Sequence, residues 1–392
     1  MKQNPHNMNA SEKELDYPYG EHLPQPGAIT EVAAGVYWLR MVLPFALDHI
    51  NLWLLSDHYE GREGWAIVDC CLDQTSSREQ WQEIFETGLE GLPVLRVFVT
   101  HLHPDHLGLA HWLCDYWKVP LWISATDFHT AHTLIHPSNT QDREQAVAFM
   151  QSHGITDTEV LHAVTQRNFQ FGHMVPALPS QFVRLYDGLS VRIGRHHWQC
   201  ISGYGHTPEH IALYCPSMNV LISGDMVLPR ISTNISVYHL EPLANPLHLF
   251  LDSLKKFDAL PSDCLCLPSH GKPFRGLHTR TGQLARHHEE RLQELREACS
   301  QNAMSAVEAM AVLFKRELDA HQTTFALGEA LAHLHWLWYR GELERVAGDV
   351  VRFKPTAAAL PHSAHGGAAG SREPASPLSP KTAGCGSSLA ND

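Results

Sequence analysis

No stretch of this chain approaches the 18 or so consecutive apolar residues that a membrane-spanning helix needs. Basic residues are also scarce. Lys and Arg number 29 against 42 Asp and Glu, a formal net charge of −13. That balance excludes a general attraction to nucleic acid or anionic membrane, though not a local basic groove. Cysteine is thin as well, with nine residues, an odd number, and no regular spacing. A disulfide framework is therefore excluded, and the pattern fits buried, reduced thiols in a cytoplasmic protein. Cys264 and Cys266 flank Leu265 in an apolar run, so a Cys-x-Cys metal pair competes there with plain strand alternation, which is favoured. Met1 to about Pro26 is polar and has no apolar core of a secretory signal. Hydrophobic content of 44% and charged content of 18% suit a globular protein with one large or two ordinary domains.

What the chain has in abundance is histidine, 29 residues in 392. The densest group is His101, His103, Asp105 and His106, directly behind the apolar run Val94–Val99. That run reads as a buried strand, and Pro104 stops the chain from continuing as regular ladder beyond it. Imidazole and carboxylate are ligands of Zn²⁺ and related first-row metals. The two-residue spacing puts His101 and His103 on one side of an extended segment, with Asp105 and His106 turned to another. One metal on each pair is the natural geometry. A solvated histidine-rich loop is the alternative, since a chain of this composition would show such a motif by chance roughly once in 100.

The rest of the chain decides between them. Three strand candidates, Gly35–Leu39, Ile50–Ser56 and Trp65–Val68, suggest an antiparallel meander ending in Asp69. Asp69 is either a turn former or an acceptor for a ligand imidazole. A helix over Ser76–Glu86, the central strand, a helix over Leu107–Trp117 and a strand at Val119–Ile123 follow. Residues 125–180 break the rhythm with helical stretches and several histidines, as a lid-like insertion would. Phe182–Tyr186, Leu189–Ile193 and Trp198–Ile201 read as a second meander, which delivers Gly203, Gly205 and His206. Pro208 argues against His206 and His210 sharing a helix. A hairpin then ends at Asp225, Asn245-Pro246 caps a helix, and Cys264–Leu267 delivers His270. A long helix runs from Leu277 to about Cys299. Four strand ends thus present, in order, the histidine cluster, His206, Asp225 and His270, each beside glycine or proline.

From Ile29 to Arg291 the order of these motifs, counting Asp69 as the first, resembles the metallo-β-lactamase-fold hydrolases. The resemblance implies an α/β (α+β) fold, a four-layer αββα sandwich over residues 29–300, with the site at one edge between the sheets. Carried over by position, it implies that His101, His103 and His206 hold one divalent metal ion. Asp105, His106 and His270 would hold a second, with Asp225 bridging. Zn²⁺ is the expected ion, with Fe or Mn as alternatives. Asp105 and Asp225 are the expected catalytic carboxylates. Two such ions would share a water and bring its pKa toward 7, so that hydroxide attacks a small ester, thioester or lactone carbonyl. Two departures bear on the substrate: Leu107-Gly108-Leu109 stands where the glyoxalase-like branch usually has Gly-Gly, and Glu209 stands in a segment that often reads Thr-Pro-Gly-His. Tyr204, His239, Lys272 and His288 are candidate substrate contacts.

Beyond the sandwich, Ser305 and Glu308 form a capping box opening a helix to about Leu318, and a second helix spans Phe325–Arg340. Glu342–Val346 and Val350–Phe353 then read as a hairpin. This module, residues 301–355, resembles the winged-helix appendage of one branch of the superfamily. It carries six Lys and Arg against seven Asp and Glu, so packing or homo-oligomerisation is favoured over reading nucleic acid. Residues 1–28 are expected to be a flexible lead and 356–392 a disordered tail. The partner expected is a small-molecule substrate, with no membrane association. The competing activities are a metal-dependent nuclease or phosphodiesterase and a mononuclear iron oxygenase of the same fold. The complete second ligand set argues against the oxygenase.

Overall fold

Three quick reversals build the first sheet. Strands β1 (Thr30–Ala33), β2 (Val36–Val42), β3 (His49–Tyr59) and β4 (Arg62–Val68) run antiparallel in sequence. Between β3 and β4 only Glu60 and Gly61 intervene, both with positive φ (51° and 77°). That is the turn whose twist matches paired strands. Helix α1 (Thr75–Thr87) then carries the chain to β5 (Val94–Phe98), parallel to β4. Helices α2 (Pro104–Leu107) and α3 (Ala110–Trp117) lead to β6 (Leu121–Ser124). The structure is a computed structural model that describes residues 9–135 and 140–357.

The insertion expected at 125–180 holds three helices, α4 (Ala125–Ile135), α5 (Thr140–Ser152) and α6 (Thr158–Met174). It returns to β7 (Phe182–Leu185), and here the structure corrects the sequence reading. β7 does not open a second meander. It is the last strand of the first sheet, parallel to β6 with Leu121 opposite Phe182. Three short strands separated by turn signals look alike whether or not the first pairs with the other two. The chain crosses to the second sheet at Asp187-Gly188. That sheet, β8 (Ser190–Ile193), β9 (His196–Gly203), β10 (His210–Cys215), β11 (Val220–Gly224) and β12 (Leu265–Pro268), has neighbours in the order β12-β11-β10-β9-β8. Helix α7 (Pro246–Phe257), between β11 and β12, is capped as expected by Asn245 and Pro246.

Three apolar clusters fill the three gaps of a four-layer αββα sandwich. One lies between the first sheet and α1, α3 and the insertion, around Trp81, Leu113 and Phe171. The second lies between the sheets, around Trp38, Trp53, Phe98, Trp198, Leu213 and Ile222. Burial of each Phe or Leu side chain there contributes roughly 1.5–3 kcal/mol. Because both faces are covered, β5 and β11 are buried at every position. The third cluster joins the second sheet to α7, to α8 (Leu277–Gln301), and to the C-terminal helices α9 (Ala306–Leu313) and α10 (Ala320–Tyr339). The capping box at Ser305 and Glu308 is formed. The helix it opens ends at Leu313 rather than near Leu318, and α10 starts behind Asp319, whose carboxylate caps Gln322 N. Strands β13 (Leu343–Val346) and β14 (Arg352–Pro355) pair as the expected hairpin.

Residues 9–28, within the expected flexible lead, carry a short turn at Glu12–Glu14, bury Leu15 and pair Asp16 with Arg275. The expected disordered tail lies, from residue 358 on, outside the described residues. Among the described residues no helix is long and apolar enough to cross a membrane.

Candidate metal centre

The centre grows from the carboxyl end of β5. After Phe98 the chain stays buried through Leu102. His103, restricted by the following proline, is extended at φ −58°, ψ 147°. Pro104 then opens the single helical turn α2, which folds Asp105 and His106 back against the strand end. So the segment is extended only to His103. Gly108 closes the turn where a Cβ would lie 2.6 Å from the Pro104 carbonyl oxygen and 2.7 Å from that of Cys71. The steric requirement for glycine therefore falls on Gly108, and Leu107 before it is simply core.

All seven sequence-predicted residues converge at this edge. Potential ligand atoms of His101, His103, His206 and Asp225 lie within 4.8 Å of one another, as do those of Asp105, His106 and His270. Asp225 stands between the two sets. Its Oδ2 is 3.4 Å from His206 Nε2 and 4.0 Å from His101 Nε2. Its Oδ1 is 3.6 Å from His106 Nε2 and 3.4 Å from His270 Nε2. His270 Nε2 is also 3.4 Å from Asp105 Oδ2, and His106 Nε2 is 3.7 Å from it.

The proton placement tests whether these residues suit a cation. His106 Nδ1 donates to Asp69 Oδ2 at 2.8 Å. His206 Nδ1 donates to the Asn234 carbonyl at 2.8 Å, and His270 Nδ1 to the His49 carbonyl at 2.7 Å. In the neutral imidazole, with Nδ1 carrying the single proton, each Nε2 presents its lone pair inward. His106 Nε2, His206 Nε2 and Asp225 Oδ1 are buried and have no hydrogen-bond partner. Each such orphan costs about 1–3 kcal/mol unless something else satisfies it. Most cross-centre separations are also too long for hydrogen bonds. They suit atoms each about 2.0–2.2 Å from a shared tetrahedral ion, which stand roughly 3.3–3.6 Å apart. The residues fit one or two metal ions.

The electrostatics agree. Burial opposes charge on His106, but Asp69, Asp105 and Asp225 outweigh it and raise its pKa to about 9. Burial likewise opposes ionisation of Asp105, yet His106 and His270 bring it down to about 2. His103 is pushed down to about 3 by burial and by His206. The carboxylates of the second set therefore favour positive charge there, while burial keeps His103 in the first set neutral.

Asp69 settles as the imidazole acceptor, with its carboxylate also taking the Thr100 N–H at 2.8 Å. Asp69→Ala is expected to weaken metal binding by about 10–100-fold, with the loss concentrated in the set containing His106; calorimetric titration of the metal-free chain checks this.

Sequence reasoning missed several supporting residues. Asp127 lies hidden in the insertion. Its carboxylate accepts from Leu102 N and Glu209 N, both at 2.8 Å, and so ties the two histidine-bearing loops together. Burial pushes its pKa up to about 6. Its only sequence signal is an acid just behind a strand end, as at Asp69. His210 accepts from Asp225 N–H through Nε2 at 3.1 Å. Glu209, the departure in that motif, is buried and accepts from Ser202 and Thr126 hydroxyls at 3.2 and 3.0 Å. Among the suggested substrate contacts, His288 is fully buried and sits 3.2 Å from His333 between α8 and α10. Lys272 pairs with Glu21 at 2.9 Å, and Tyr204 lies under Lys256. His239 lines a cleft with Arg143, Phe149, Val164 and Tyr238. Cys264 and Cys266 are buried free thiols, and among the described residues neither joins a metal-holding group.

Comparison with known proteins gives independent findings. Residues 47–297 match the model of the metallo-beta-lactamase superfamily, and residues 292–356 that of the metallo-beta-lactamase-like C-terminal domain. A beta-lactamase domain protein from Burkholderia ambifaria has a similar structure, with TM-score 0.83 and 49% identity over 89% of this chain and all of that one. A metallo-beta-lactamase family protein from Thermus thermophilus has TM-score 0.69 and 26% identity, covering 83% of this chain and all of that one. The probable metallo-hydrolase YflN of Bacillus subtilis (strain 168) is 25% identical over 201 residues, 49% of this chain and 70% of YflN.

Proposed function

The chain belongs to the metallo-beta-lactamase superfamily, and from that premise we propose that it is a binuclear metal-dependent hydrolase of a small ester, thioester or lactone. One observation carries the reading: Asp225 stands between two complete ligand sets, with buried lone pairs aimed inward from both sides. The similarity to a protein described as a probable metallo-hydrolase supports it.

His101, His103 and His206 would hold one ion, Asp105, His106 and His270 the other, and Asp225 would serve both. Bound there, such ions supply Lewis acidity and a water acidic enough to act as a nucleophile near neutral pH. The chain's own residues do the rest. The backbone carbonyls of Asn234 and His49 and the carboxylate of Asp69 keep each Nδ1 protonated, which holds three imidazoles in one tautomer and one orientation. Asp105 and Asp225 are the anionic proton acceptors of the centre. Zn²⁺ is the ion this nitrogen and oxygen set suits, with Fe or Mn as competitors. The eight described cysteines are all free and buried, which supports a reducing, cytoplasmic setting.

Metal analysis of the purified chain, joined to a panel of thioester, lactone, phosphodiester and single-stranded RNA substrates, tests the proposal. The expected result is about two ions per chain after loading and chelator-sensitive turnover confined to the carbonyl substrates. RNA cleavage with steep salt dependence would transfer the assignment to a nuclease. A single ion after careful loading would favour the mononuclear oxygenase.

A further inference from the structure

The segment from Met226 to Asn245 links β11 to α7. It touches the metal centre through the Asn234 carbonyl, which accepts from His206 Nδ1 at 2.8 Å. The position of that carbonyl sets where His206 Nε2 points. Much of what holds the segment belongs to α10, in the C-terminal module. Val237 N donates to the Gly328 carbonyl at 3.1 Å. Ser236 Oγ donates to Asn234 Oδ1 at 2.7 Å and lies 3.4 Å from the Phe325 carbonyl. Further along α10, His335 Nδ1 donates to the Ala244 carbonyl at 2.8 Å, and the Tyr339 hydroxyl to the Leu243 carbonyl at 2.7 Å. Ile235, Ser236 and Val237 are all buried beneath the helix.

Gly328 makes this approach possible. A Cβ there would lie 2.7 Å from Ser236 Cβ, 2.8 Å from Ser236 Oγ and 3.2 Å from the Val237 carbonyl oxygen. It sits inside a 20-residue helix, where glycine is less favourable than alanine. Its φ is not in the left-handed region, so no backbone conformation demands it. Close packing of the helix against the segment is the remaining reason for a glycine at this point.

We infer that Gly328 is a positioning residue for His206: it lets α10 settle on Ser236 and Val237, and so fixes the Asn234 carbonyl that aims the imidazole. The C-terminal module then acts on the metal centre through one contact line, Gly328 to Ser236 and Val237 to Asn234 to His206. The inference rests on reading the seven residues as metal ligands. It deepens that reading by making one of the two ligand sets depend on α10, because the Nδ1 partners of His106 and His270 lie elsewhere, on Asp69 and His49.

The test uses the full chain and Zn²⁺. Metal-free Gly328→Ala is titrated with Zn²⁺ against a competing chelator, beside the parent and Gly328→Ala/Ser236→Gly. The expected result is a loss of about 10–100-fold at one site and less than about twofold at the other. Removing the Ser236 side chain should restore most of the loss. The His206 Nδ1–H resonance of the metal-free chain should shift in Gly328→Ala and return in the double variant. Ser236→Val applies the same crowding from the segment side, and serves if the helix variant does not fold. Equal weakening of both sites, no weakening, or failure of the double variant to recover would overturn the inference. If the parent binds no Zn²⁺, the metal reading fails, and the His206 resonance alone then decides whether Gly328 positions it.

Discussion

Asp225→Ala is expected to strip metal from both ligand sets at once and to lower turnover on the order of 10³-fold or more. The reason lies in how its oxygens are divided. Oδ2 faces His206 and His101, while Oδ1 faces His106 and His270, at separations of 3.4 to 4.0 Å. Among the described residues, no other carboxylate stands between the inward-facing nitrogens of both sets. Its removal leaves three imidazoles on one side, and two imidazoles with one carboxylate on the other, with less negative charge to balance either ion. His103→Ala provides the contrast, since it should empty the first set and leave the second able to bind. Metal content by mass spectrometry after loading and dialysis reads both outcomes. Loss from one set only in Asp225→Ala, or turnover near the parent's, would sink the shared-carboxylate arrangement. The backbone should survive the change, because Asp225 N still donates to His210 and its carbonyl still accepts from Thr233.

The centre lies where it does because of strand direction. β4 and β5 are parallel, as are β11 and β12, so Asp69, the His101 cluster, Asp225 and His270 all emerge at carboxyl ends on one edge. His206 reaches the same edge from the turn between β9 and β10, with His210 paired to Gly203. Cross-ties then fix the loops to one another. Asn51 in β3 accepts from Trp38 Nε1 and donates to the Pro268 and Gly271 carbonyls, pinning the His270 loop to the first sheet. Ile211 N donates to the Thr100 carbonyl across the sandwich at 2.8 Å. Rigid strands carry the seven side chains, and loop-to-strand hydrogen bonds remove the remaining freedom.

That division explains what the sequence made legible. Each of the seven central residues follows an apolar strand and sits near proline or glycine, signals that lie within a few residues of the side chain itself. The supporting residues carry no such local mark. Asp127 is defined by Leu102 and Glu209, 25 and 82 positions away, and Asn234 acts through its carbonyl, which any residue would supply. Likewise the pairing of β7 with β6 spans the whole helical insertion, so local turn signals group β7 with the wrong meander. The apolar pattern also places the start of α10 five residues late, at Phe325 rather than Ala320. Its first turn, His321 to Thr324, is polar, and only the Asp319 cap announces it. Gly328 reads as an ordinary helix residue, although an isolated glycine in a helical pattern is itself a clue to close packing.

The largest stability effect should come from the opposite end of β3, at Asp57 and Arg96. Both side chains are buried, and the carboxylate and guanidinium meet in two 2.8 Å hydrogen bonds. Tyr59, Phe98 and Trp122 pack around the guanidinium within 5.3 Å of its carbon. The pair also spans the sandwich: Asp57 Oδ1 accepts from Gly194 N, and Arg96 Nη2 donates to the Arg192 carbonyl in the second sheet. Asp57→Ala would leave a buried cation without its partner, which typically costs about 3–5 kcal/mol. For a domain of this size that corresponds to a fall in melting temperature of roughly 10 °C. Asp57→Leu/Arg96→Met should recover part of the loss, because two apolar side chains fill the space without a lone charge. Recovery should stay incomplete, since Gly194 N and the Arg192 carbonyl lose their partners. Eight residues of extended strand, roughly 26 Å, separate Asp57 from His49 beside the metal centre. Zn²⁺ affinity per folded chain should therefore stay at the parent value while the urea midpoint drops. An unchanged midpoint in Asp57→Ala would show that the pair does not hold the sheets together, and a matching loss of Zn²⁺ affinity would show that the two ends of β3 are not independent.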